Sequence, residues 1–213
     1  MSLILGLDIA TSCGHGLIEP STLPSSWRCD AWHFDGDNGE DKAGLLSRSM
    51  VPYLKHHRPV FAAIEMPQRN VKTFGRKRED MAGETVEQTI NPNALQLSAL
   101  AGAAVAILEA FRIPWGLVAS ATWRAAYYGK GVKPDGDWRP MYPEKPPGWC
   151  EDWKDLAIKH ARMQKIELPS TKKAQRDAAE AIGIGTAWTR CTYIPERHQA
   201  AFMALRTGQA RAA

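Results

Sequence analysis

The chain has 213 residues, 44% apolar and 23% charged, a balance far from that of disordered chains and sufficient to bury a core without staples. Its cysteines, at 13, 29, 150 and 191, form no CxxC pair, and Cys13-Gly14-His15 has no second ligand pair at zinc spacing, which speaks against a disulfide framework and a zinc finger. No leader with a basic start and cleavage site is seen, so a cytoplasmic compartment is expected, and the formal charge of +4 is unevenly spread: 5 basic and 8 acidic side chains over residues 1–68, but 22 and 15 over 69–213.

Leu3-Ile4-Leu5-Gly6-Leu7-Asp8-Ile9 is a nearly continuous apolar run and predicts a strand buried on both faces, with one carboxylate near its end. Short strands over 15–19 and 29–34 complete an antiparallel meander through the turn at 20–26. Helical spacing over 44–57 leads into the apolar run 60–64, which closes on Glu65; Met66-Pro67 then ends the strand, because proline cannot continue a central ladder.

Asn91-Pro92-Asn93 marks the start of a long Ala/Leu-rich helix, 93–111, too short and too polar for a membrane span. A strand at Leu117-Val118 and a helical segment over 120–128 follow. Residues 129–149 hold five prolines and four glycines, which predicts a long surface excursion without regular structure. Helical periodicity resumes over 151–164, Pro169 interrupts it, and a last helix is expected from about 170 to 188. The chain is expected to form one domain over 1–213, with 129–149 as an insertion.

On the last helix Asp177 and Glu180 stand three positions apart, one turn from each other on one face, among Ala178, Ala179, Ala181 and Ile182. Burying unpaired carboxylates costs several kcal/mol each, and a hard divalent cation held by oxygen ligands reverses that sign. The alternative for the pair alone is a solvated helix face on which Lys173 and Arg176 neutralise it.

Ile4-Leu5-Gly6-Leu7-Asp8, then Ala63-Ile64-Glu65, then Asp177-Ala178-Ala179-Glu180-Ala181-Ile182 resembles, in order and spacing, the RuvC-type Holliday-junction resolvases of the RNase H-like superfamily. The resemblance covers most of the chain and is weakest at 129–149. It implies an α/β RNase H-like fold: a mixed central sheet with an antiparallel N-terminal meander, flanked by helices. It also implies that Asp8, Glu65, Asp177 and Glu180 bind two Mg2+ or Mn2+ ions, with Asp8 bridging, for hydrolysis of branched DNA to 5′-phosphate products. No small-molecule cofactor is expected. The last acid is commonly aspartate in the family, so Glu180 departs by one methylene, and with the insertion this points to a divergent phage-type member.

The family acts as a homodimer, for which helix 93–111 is the expected interface. The stretch 68–78 carries Arg69, Lys72, Arg76, Lys77 and Arg78 around Phe74, a composition suited to a loop that tracks the DNA backbone and stacks on an unpaired base; a solvated turn balanced by Glu79 and Asp80 is the competing reading. Arg124 takes the place of a family lysine near the scissile region, and Lys154 resembles a second such residue. Two other classes share the opening motif or the fold: an actin-like nucleotide-binding protein, for which the chain is short, and a non-catalytic DNA-binding protein.

Overall fold

The computed structural model describes residues 3–67, 73–80, 83–90, 92–139 and 148–190, of which 73–80, 83–90, 92–93, 137–139, 148–151 and 190 are described by backbone alone. Five strands form a mixed sheet: β1 (Ile4–Asp8), β2 (Ser12–Ile18), β3 (Arg28–His33), β4 (Phe61–Glu65) and β7 (Trp115–Val118), in the order β3-β2-β1-β4-β7. The first three are antiparallel, as the meander predicted, and β1, β4 and β7 run parallel. Parallel neighbours need crossovers, supplied by α1 (Gly39–His57) and α2 (Pro92–Ala110).

Strand alternation divides the core in two. Leu5, Leu7, Cys13, Leu17, Ala62 and Ile64 pack toward Leu46, Met50 and Leu54 of α1 and Leu100, Ala104 and Leu108 of α2. Each fully buried leucine there contributes about 2 kcal/mol. Ile4, Ile18, Phe61, Ala63 and Val118 pack on the opposite side with Ala179, Ile182 and Trp188 of α5 (Lys172–Arg190) and with residues of α3 (Ser120–Tyr128) and α4 (Trp153–Met163).

α5 lies unusually close to the sheet because glycines face it. A Cβ on Gly6 would sit 2.0 Å from the Ala181 carbonyl oxygen, and one on Gly14 2.0 Å from that of Asp177. Any side chain at either position would lift the helix off the strands.

Several boundaries differ from expectation. α1 begins at Gly39 rather than 44, because the polar first turn Glu40-Asp41-Lys42 hides the helix from an apolar-periodicity reading; the Asn38 side chain caps it by accepting from the Asp41 N–H at 2.8 Å. The expected loop after Glu65 contains a hairpin, β5 (Thr73–Asp80) paired with β6 (Gly83–Ile90). The excursion 129–149 is likewise not devoid of regular structure: β8 (Gly136–Arg139) pairs with β9 (Gly148–Glu151), a short antiparallel ladder that composition alone does not reveal. Among the described residues no helix is long and apolar enough to cross a membrane.

Candidate active site

Asp8 closes β1 and Glu65 closes β4, each one step beyond the paired residues Leu7 and Ile64 of the parallel ladder. By strand parity both belong to the face that α5 covers, since Ile4 and Gly6, and Phe61 and Ala63, meet the α5 side. The close seat of α5 over Gly14 then brings Asp177 and Glu180 down on the same edge. Asp8, Asp177 and Glu180 are 7%, 5% and 3% exposed. Asp8, Glu65 and Glu180 line a cavity of about 320 Å3, together with Arg124, Trp153, Lys154 and Arg176.

Compensation comes from two neighbouring helices. Lys154, in the first turn of α4, forms an ion pair with Asp177 and stands 3.2 Å from Glu180 Oε2 and 3.6 Å from Asp8 Oδ2. Burial alone would lower the Lys154 ammonium, but Asp8, Glu180 and Asp177 outweigh it and hold its pKa above the ordinary value. Arg124 of α3 reaches Glu180 Oε1 at 3.3 Å, its guanidinium lying over the Trp153 ring at 4.6 Å and the Trp123 ring at 5.2 Å. The extra methylene of Glu180 thus ends between two cations.

Even so, burial pushes the Asp8 carboxyl well above the usual range, with Glu180 adding to the rise and Lys154 opposing it. Glu180 is raised too, by burial first, against the pull of Lys154. Asp8 Oδ2 is buried and accepts no hydrogen bond. Glu65 is held differently: the Ser120 hydroxyl donates to its Oε1, and the Trp123 indole N–H donates to the same oxygen at 3.3 Å.

The solvated-face alternative for the acid pair does not hold. Arg176 donates to Asp152 Oδ1 at 2.7 Å and lies 3.7 Å from Asp155, while Lys173 Nζ meets His33 Nδ1 at 3.3 Å. Both acids of the pair are buried together with the apolar residues that follow on their side of α5, Ala181, Ile184 and Ala187. Arg124 and Lys154 do reach the site, where they pair with the acids. Arg69 and Lys72 lie outside the described residues, and Phe74, Arg76, Lys77 and Arg78 fall on β5, whose side chains are not described.

Sequence reading missed Ser120, Trp123, Asp152, Trp153 and Arg176. For Ser120 a signal existed, since it opens the helix that follows the strand beside Glu65; Asp152 is the polar cap of α4, accepting from the Asp155 N–H at 3.0 Å.

The donor chemistry fits magnesium or manganese: four carboxylates, one with a buried oxygen that accepts no hydrogen bond, are hard ligands of the kind these ions take. As the side chains stand, no three histidine, cysteine, aspartate or glutamate groups among the described residues are spaced around one ion position. The Lys154 ammonium lies among three of the acids, and an ion there must displace it.

No protein-family model and no curated protein matches the chain. Solved structures do. Thermus thermophilus RuvC in complex with a Holliday junction substrate matches with a TM-score of 0.50 at 13% identity, over 87% of this chain and 91% of that one. A further Thermus thermophilus RuvC structure has a TM-score of 0.48 at 14% identity, covering 87% and 92%. The yeast mitochondrial Holliday junction resolvase Ydc2 has 0.48 at 14%, covering 97% and 84%. At these identities the likeness is one of fold: the chain has the RNase H-like α/β architecture of RuvC, as the order and spacing of its acids led us to expect.

Proposed function

We propose that this chain is a metal-dependent endodeoxyribonuclease that cuts Holliday junctions or other branched DNA. The observation that carries the reading is the convergence of Asp8, Glu65, Asp177 and Glu180 from two strand ends and one helix on the carboxyl edge of parallel strands, in a fold shared with RuvC bound to a junction. Four carboxylates so gathered cost free energy that no packing argument recovers.

Asp8, Glu65, Asp177 and Glu180 would hold Mg2+ or Mn2+, with Asp8, nearest the centre of the sheet, between the other ligands. Ions held there would supply Lewis-acid activation of an attacking water and stabilisation of the leaving 3′ oxygen. Lys154 and Arg124, released from the carboxylates, are then free to neutralise phosphate oxygens beside the scissile bond. Arg176, tied to Asp152, adds a third cation at the rim. The basic run from Arg69 to Arg78, with Phe74 within it, follows Glu65 directly in sequence and suits contact with the DNA arms.

Paired nicking of a symmetric junction requires two active sites, and α2 is the proposed homodimer face. Leu95 is 56% exposed, and Ala99, Gly102, Ala106 and Ala110 are exposed along the same helix. Sedimentation at micromolar concentration tests this; a strict monomer removes the paired-nicking part.

The deciding experiment compares wild type with Asp8→Asn on four-way junctions, forks, flaps and linear duplex in magnesium. Selective cleavage of branched DNA, lost in the variant with binding retained, is the expected result. Equal cutting of linear duplex sinks the word branched. A non-catalytic DNA-binding role is the second reading, favoured by the ion pairs that Lys154 and Arg124 form with Asp177 and Glu180. Saturated junction binding without cleavage in magnesium or manganese would establish it.

A further inference from the structure

Glu65 is held unlike the other three acids. Asp8, Asp177 and Glu180 face cations, whereas the donors that reach Glu65 among the described residues are neutral and belong to α3. Their placement follows from the chain path. Glu65 is the register partner of Val118, so the chain leaves β7 beside it, passes the extended Ala119 and opens α3 at Ser120. Helix geometry then puts Trp123, three positions on, on the same side as Ser120. Both donate to one oxygen, Oε1.

Trp123 is fully buried. Its ring occupies the space left by Gly183: a Cβ there would lie 2.8 Å from Trp123 Cζ3 and 2.9 Å from Tyr127 Cδ1. Gly183 stands three positions beyond Glu180 on α5. The group that orients Glu65 is therefore seated on the helix that carries the other two acids.

We propose that Ser120 and Trp123 are positioning residues that lock Glu65 through Oε1 and leave its Oε2 for a divalent ion, with Gly183 seating Trp123 so that Glu65 is held in register with Asp177 and Glu180. This rests on the metal-ligand reading above. A glutamate has three rotatable bonds to order before it ligates, and donors that fix it beforehand remove that cost from binding. Because two donors share one oxygen, rotation of the carboxylate is restrained as well as its position.

Calorimetric titration of the full chain with Mn2+ tests this, using wild type, Asp8→Asn, Ser120→Ala, Ser120→Thr and Trp123→Phe, with thermal unfolding of each ion-free protein. Ser120→Ala is expected to weaken Mn2+ binding by roughly 10- to 100-fold. The half-saturating Mn2+ for cleavage should rise by the same factor, while the rate at saturating ion stays close to wild type and the unfolding temperature does not move. Ser120→Thr, which keeps the hydroxyl, should restore affinity; Trp123→Phe, which keeps a ring but loses the N–H, should weaken it. Wild-type affinity in both Ser120→Ala and Trp123→Phe, with binding lost in Asp8→Asn, overturns the positioning role and leaves the metal site standing. Absence of Mn2+ binding by the wild type, or binding indifferent to Asp8→Asn, removes the metal site and this role with it.

Discussion

The two faces of the sheet treat buried polarity in opposite ways. Toward α1 and α2, His15 is 5% exposed, stacked on Trp32 with ring centroids 4.2 Å apart and edged by Tyr53 at 4.6 Å; burial lowers its pKa to about 4, opposed by Asp30, so it stays neutral. Toward α5, Asp8, Asp177 and Glu180 are equally buried but gathered against one another and met by Lys154 and Arg124. The packing face thus removes charge, whereas the α5 face gathers like charge and offsets it with cations, the arrangement on which the proposed metal site rests.

The sharpest way to break the contrast is Asp8→Asn, which alters one atom on the α5 face. Bound divalent ions supply several kcal/mol of transition-state stabilisation, and each 1.36 kcal/mol is tenfold in rate, so cleavage should fall by roughly a thousandfold or more in single-turnover assays while junction binding persists.

Gly14→Ala comes next, because its Cβ would meet the Asp177 carbonyl oxygen at 2.0 Å. Overpacking of this kind costs about 3 kcal/mol and should appear in urea unfolding together with loss of cleavage, since the displaced segment carries an acid. A fully active, equally stable variant would show that the close seat of α5 does not set the site.

His15 tests the other face. Its folded pKa, about 4, lies below the ordinary histidine value of 6.5, so between those values the unfolded chain binds the proton and the folded chain does not. Stability is therefore unaffected above about pH 6.5 and falls as pH drops toward 4, by roughly 3 kcal/mol for this group. His15→Phe should flatten that part of the pH–stability curve and leave cleavage at neutral pH intact; an unchanged acid slope would disprove the assignment.

Smallest is Asn38→Ala, which removes the α1 cap and should cost about 1 kcal/mol in urea unfolding with no effect on cleavage. Any loss of activity there would show that the faces are coupled.

The central strands, and the positions of Asp8 and Glu65 at strand ends and of Asp177 and Glu180 one helical turn apart, were legible because those signals are local; that the four form one site was expected only from their joint resemblance to the resolvase pattern. An acid at the end of an apolar run, or two acids one helical turn apart, depends on period 2 or 3.6 and on nothing distant. The polar first turn of α1 and the ladder of β8 with β9 lack such periodicity and escaped notice.

Sequence by itself determined which carboxylates sit at strand ends and on one helical face, since backbone geometry fixes both. Only the tertiary structure decided their company: that Lys154 and not Lys173 meets Asp177, that Arg124 meets Glu180, that Arg176 turns to Asp152, and that Ser120 and Trp123 hold Glu65. Those partners lie 23 to 58 residues apart in the chain; the α5 acids meet theirs because α5 rests on Gly6 and Gly14, and Glu65 meets its own because β7 runs beside β4 into α3, fits of volume and register that residue types do not encode locally.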